Sequence, residues 1–86
     1  MTVDELMAVQ PVIPVITVER VEDAIPLASA LAGNGLRVLE VTLRTPAALA
    51  CIREMTKVSG AIVGAGTVLS ANDAMLAREA GATFIV

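Results

Sequence analysis

The stretch RVLEVTLRTP, Arg37 to Pro46, alternates apolar and polar side chains. Leu39, Val41 and Leu43 fall on one face of a strand, and Glu40, Thr42 and Arg44 on the other, because strand side chains alternate with a period of two. The surrounding chain is 56% hydrophobic and 17% charged, a composition for a packed core rather than a disordered tail. A carboxylate, a hydroxyl and a guanidinium in a row therefore call for a face that is neither packed on helices nor ordinary surface.

Outward from this stretch, the same kind of segment recurs. VIPVITV (12–18), AIVGAGTV (61–68) and TFIV (83–86) are also apolar and rich in β-branched residues. The four segments start at 12, 37, 61 and 83, so a unit of about two dozen residues repeats. The last three are entered through Gly35, Gly60 and Gly81, each where a helix C-cap would need a left-handed backbone. Helical patterns fill the gaps. Ala24, Leu27, Ala28 and Leu31 make one apolar stripe, with Pro26 placed in a first turn where a missing N–H costs little. Pro46 marks the expected first position of a second helix, whose core side is Leu49, Ile52 and Met55. Ser70 is the expected N-cap of a third, with Asp73 at the capping-box position and Gly81 at its end. The opening VDELMAV reads as a short helix.

The pattern is β-α-β-α-β-α-β, with strands apolar enough for a parallel sheet covered by helices. A doubly wound open sheet and a (β/α)8 barrel both share it. In a barrel, Leu39, Val41 and Leu43 pack on helices while Glu40, Thr42 and Arg44 face the interior, near the C-terminal strand ends where barrel active sites lie. Eight such units would need about 200 residues, and the 86 present make about three and a half. The expected fold is thus α/β of the (β/α)8 TIM-barrel type, with residues 1–86 as the N-terminal part of a single larger barrel domain.

Composition narrows the chemistry. One Phe, no Trp or Tyr, and a net charge of −3 leave neither stacking platforms nor a phosphate-neutralising patch, so nucleic acid is not expected as a partner. With no His and one cysteine, Cys51, the usual metal-ligand sets and His-activated nucleophiles cannot be assembled, and no cofactor is expected. Cys51 reads as a small core residue. The acidic start and the lack of an 18-residue apolar run point away from a signal peptide or membrane span and toward a cytoplasmic protein.

Glu40 is the sharpest candidate, because a buried carboxylate must be paired, protonated or wet, and a carboxyl so placed suits acid/base work. The alternative is a structural ion pair with Arg44 or Arg37. Arg44 suits capture of a carboxylate or phosphate, or else it is a surface arginine. GAGTVLS (64–70) has the G-x-G of a dinucleotide site but Leu69 where the third glycine would stand. The better reading sets Gly64 and Gly66 on the helix side, with Val63, Ala65 and Thr67 facing inward and Thr67 at the rim near Arg44. Lys57, the single lysine, falls away from its helix's apolar stripe beside Arg53 and Glu54, an unsuitable setting for an amine nucleophile.

PVIPVITVERVEDAIPLASALAGNGLRVLEVTLRTPAAL, followed by AIVGAGTVLS and EAGATFIV, resembles the N-terminal part of the KHG/KDPG aldolases, the class I 2-keto-3-deoxy-6-phosphogluconate aldolases of the Entner–Doudoroff pathway. The resemblance implies a trimeric (β/α)8 barrel that reversibly cleaves the phosphorylated keto-deoxy acid to pyruvate and glyceraldehyde 3-phosphate through a lysine Schiff base. It implies Glu40 as the acid/base of the carbinolamine and enamine steps, Arg44 as the ligand of the pyruvyl carboxylate, and Thr67 as a further pyruvyl contact. It also places the Schiff-base lysine on a sixth strand and the phosphate loops on the last strands, outside these 86 residues, which are therefore expected to be inactive alone. A galactonate-directed sister aldolase is the near substrate alternative. A non-catalytic half-barrel, valued for self-association or carboxylate binding, is the functional alternative.

Overall fold

Valine, isoleucine and leucine crowd the segments that become strands, and their β-branched side chains suit a pleated, packed surface. The computed structural model describes Thr2, Asp4, Glu5, Ala8, Gln10 and residues 12–86; the expected helix over 3–9 rests mostly on residues outside that set. β1 (Val15–Ile16), β2 (Val38–Thr42), β3 (Ile62–Gly66) and β4 (Phe84–Ile85) form one sheet in the order β1-β2-β3-β4. All three pairings are parallel, with Glu40 between Val15 and Gly64, and Gly64 next to Phe84.

The helices are α1 (Ala24–Gly33), entered through a short 3-10 turn at Val21–Asp23, α2 (Ala48–Met55) and α3 (Ala71–Ala80). Pro26 sits in the first turn of α1, where its ring is tolerated. Pro46 does not open α2. It lies inside a turn closed by the Ala48 amide donating to the Thr45 carbonyl at 3.2 Å, and the helix starts two residues later. Proline's fixed φ suits that turn position as well as a helix start. Gly35, Gly60 and Gly81 have φ of 90°, 83° and 112°. The repeated glycine is thus a repeated left-handed stop between helix and strand.

Ser70 caps α3, its Oγ accepting from the Asp73 amide at 3.0 Å. Replacing it by alanine leaves that amide without its partner, and Ser70→Ala is expected to lower stability by about 1 kcal/mol. Urea unfolding of the two chains checks this, with Ser70→Gly expected to lose less.

The core decides between the two architectures. Leu39, Val41, Val63 and Ala65 pack in one cluster with Ala24 and Ala28 of α1, Ala48, Cys51, Ile52 and Met55 of α2, and Ala77 and Ala80 of α3. Every described helix thus covers the same sheet face, and the strand order runs consecutively without a switch point. A doubly wound sheet has helices on both faces and a reversal of strand order. A barrel has neither. The Cα extents are 30 × 29 × 17 Å, the thickness of one sheet and one helix layer. This is a curved portion of a (β/α)8-type fold.

Candidate active site on the uncovered sheet face

Parallel pairing sets side chains of one register position on one face. Glu40 and Thr42, opposite in parity to Leu39 and Val41, therefore project from the face that the helices do not cover. Val15, Glu40, Gly64 and Phe84 form one row across it. Thr42 and Gly66 form the next row toward the C-terminal ends. Thr17 joins that row, since its hydroxyl lies 2.9 Å from the Thr42 hydroxyl.

Gly64 and Gly66 overturn one expectation. They belong to the uncovered face, while Val63 and Ala65 are buried against helices. A Cβ built on Gly66 would fall on the Glu40 carboxylate, and one on Gly64 would fall on the Phe84 ring. Neither glycine has positive φ, and both lie within β3 rather than in a strand-to-helix turn. They provide space, not the turn of a dinucleotide fingerprint.

Glu40 is half-buried. Among the described residues the ion pairs are Arg20 with Glu22 and Asp23, and Lys57 with Glu54. The expected structural alternative, Glu40 paired with Arg44 or Arg37, is not among them. Glu40 thus stands outside these pairs, with its carboxyl end against Gly66, level with Thr42.

Arg44 and Thr67 follow the C-terminal ends of neighbouring strands. The Leu43 amide donates to the Gly66 carbonyl at 2.9 Å, so β2 and β3 stay in register up to the residues just before each. Arg44 is exposed at this C-terminal end and belongs to none of the ion pairs found among the described residues. Thr67 has φ of 56°. A β-branched residue in that region stores strain of about 1–3 kcal/mol, of the kind found at functional sites. The turn in the backbone also ends the strand alternation there, so Thr67 does not inherit a facing from Val63 and Ala65.

Two hydroxyls near this rim were not singled out from sequence. Thr45 donates to the Val18 carbonyl at 2.6 Å and ties the loop after β2 to the chain after β1. Thr17 meets Thr42 as above, and Thr42 also reaches the Ile16 carbonyl at 3.3 Å. The signal for Thr17 was its parity with Val15, legible only once β1 has a register. At the opposite end, the buried Gln10 accepts from the Val38 amide at 3.0 Å and donates to the Val38 carbonyl at 3.1 Å. It pins the lead-in to β1 beside β2.

The remaining candidates lie elsewhere. Cys51 is fully buried in the helix layer, and burial, then the Asp23 and Glu22 charges, push its thiol up. It is a core residue, as its surroundings of Ala and Ile suggest. Lys57 follows α2, is 61% exposed, and holds Glu54 at 2.6 Å. Among the described residues no group of three or more acidic or Cys side chains is set to hold a metal ion, and no helix is long and apolar enough to cross a membrane.

Residues 3–86 match the aldolase family described as KDPG and KHG aldolase. The chain belongs to the KDPG and KHG aldolase family. A 2-dehydro-3-deoxy-phosphogluconate aldolase of Zymomonas mobilis is 54% identical over 84 residues, which are 98% of this chain and 40% of that protein. The crystal structure of the 2-keto-3-deoxy-6-phosphogluconate aldolase from Zymomonas mobilis ATCC 29191 superimposes with a TM-score of 0.95 at 52% identity, covering 99% of this chain and 41% of the other. The Legionella pneumophila KDPG aldolase, solved with pyruvate captured as a covalent carbinolamine intermediate, gives a TM-score of 0.86 at 43% identity, covering 93% and 39%. The chain therefore spans about two fifths of the length of these aldolases, and its four strands are part of their kind of barrel.

Proposed function

We propose that this chain forms the proton-handling and carboxylate-binding portion of a class I aldolase acting on 2-keto-3-deoxy-6-phosphogluconate. The observation that carries this is the uncovered sheet face: a half-buried Glu40 outside every ion pair found among the described residues, its carboxyl end at the level of Thr42, with Arg44 and Thr67 following the strands at the C-terminal end. Glu40 moves the protons of carbinolamine formation and of enamine protonation. Arg44 holds the pyruvyl carboxylate with its planar fork of donors, and Thr67 contacts the same group. The aldehyde product is glyceraldehyde 3-phosphate.

The amine that forms the Schiff base comes from outside these 86 residues. Lys57, the single lysine, is exposed and ion-paired on the helix side of the sheet, whereas an imine-forming lysine needs a desolvated amine at the reacting carbon. By itself the chain therefore does not turn over. The parent assembles as a trimer in the cytoplasm.

The test is a chimera in which this chain replaces the corresponding two fifths of the Zymomonas mobilis aldolase. It is expected to cleave the phosphorylated gluconate-derived keto acid, releasing pyruvate. A chimera that folds, binds pyruvate and fails to cleave would favour the carboxylate-binding alternative, for which the exposed Arg44 is the supporting feature.

A further inference from the structure

Glu40 stands opposite Gly64 in the register, yet its carboxyl end does not lie over Gly64. The position over Gly64 is filled by the Phe84 ring, which reaches across from β4. The Glu40 Cγ, Cδ and Oε2 atoms instead crowd the place where a Cβ of residue 66 would be. Gly66 is two residues further along β3, and the strands are parallel, so Glu40 leans diagonally toward the C-terminal rim. That is the end at which Arg44 and Thr67 leave the sheet.

We infer that Gly66 is a positioning residue for Glu40: its missing side chain is the seat of the carboxylate, and the Phe84 ring over Gly64 closes the alternative seat one row deeper. A carboxylate across from Gly64 would sit among Val15 and Phe84, a row below the hydroxyls. In its seat over Gly66 it stands level with Thr42 and one residue from Thr67 and the rim. The two glycines of GAG thus have distinct tasks on one face, one receiving an aromatic ring and the other an acid. Ordinary strand φ at both leaves space as the reason for glycine. The inference deepens the proposed role of Glu40 and rests on it for its catalytic meaning. Its geometric content stands apart from turnover.

The test is a set of double-mutant cycles read by urea unfolding of the 86-residue chain. An alanine at 66 overpacks the Glu40 end group, so Gly66→Ala is expected to lower the folded-to-unfolded ratio by roughly ten- to a hundred-fold. In a chain that carries Glu40→Ala the same substitution is expected to cost less than about three-fold, because every atom that crowds the seat, from Cγ outward, is gone. Glu40→Gln keeps the shape without the charge and is expected to give no relief. Gly64→Ala is expected to be relieved by Phe84→Ala and not by Glu40→Ala. Should Gly66→Ala abolish folding, recovery of a cooperative transition in Glu40→Ala/Gly66→Ala supports the seat, and continued failure overturns it. A Gly66→Ala chain as stable as the parent, or a cost unchanged by Glu40→Ala, also overturns it. Loss of activity in the Zymomonas chimera with this coupling intact would count against the proposed function alone.

Discussion

In the chimera with the Zymomonas mobilis aldolase, Glu40→Gln is expected to lower kcat by about 100- to 10,000-fold, the range for loss of a general acid/base. Glutamine keeps the length and planarity of the side chain, so it occupies the seat over Gly66 as glutamate does. What it removes is the carboxyl group's capacity to donate or accept a proton. With the pyruvyl group held by Arg44 and Thr67 as proposed, pyruvate binding is expected to change less than about three-fold. Arg44→Ala is the counterpart, expected to raise KM for the keto acid more than it lowers kcat, because the contact proposed for it is present before and during reaction. Steady-state kinetics on purified chimeras, with a pyruvate titration alongside, separates the two. A Glu40→Gln chimera retaining more than a tenth of the parental kcat would place the acid/base elsewhere.

The second large effect concerns the fold. Leu39 is fully buried and stands on the helix side of the central strand β2, in the cluster that joins all three helices to the sheet. Leu39→Ala is expected to cost about 3 kcal/mol, from lost transfer free energy and an unfilled cavity. Small domains hold only about 5–15 kcal/mol in total. Here the described helices cover one sheet face only, and Val12, Val15 and Val86 are more than half exposed, so the reserve belongs at the low end. Val15→Thr, a change at a side chain 64% exposed, is expected to be within about 0.5 kcal/mol of neutral. Urea unfolding monitored by far-UV circular dichroism reads both, with Leu39→Ala shifting the midpoint and Val15→Thr leaving it in place.

What could be read from the sequence was what is encoded locally. The strand segments, the Ser70–Asp73 cap and the three glycines at helix ends depend on neighbours within a few residues, and each stands where its local chemistry puts it. The polar row Glu40–Thr42 was legible because its other face, Leu39 and Val41, is unambiguously apolar. The GAG stretch offered no such contrast. Glycine and alanine alternate there with nothing large or charged, so parity could be set only by pairing with β2, a non-local fact. That is why Gly64 and Gly66 were assigned to the wrong face. The left-handed backbone of Thr67 has no sequence signal in a β-branched residue. The seat of Glu40 over Gly66 combines register with a diagonal reach, and neither can be read along one strand.

The most direct measurement is intact mass after incubation with pyruvate and borohydride, made on the 86-residue chain and on the chimera in parallel. Borohydride fixes any imine between pyruvate and an amine. The chain alone is expected to show no added mass, and the chimera one reduced pyruvyl adduct on a lysine contributed by the Zymomonas portion. An adduct on Lys57 or on the N-terminal amine of the short chain would contradict the account, since the nucleophile would then lie among these residues and away from Glu40.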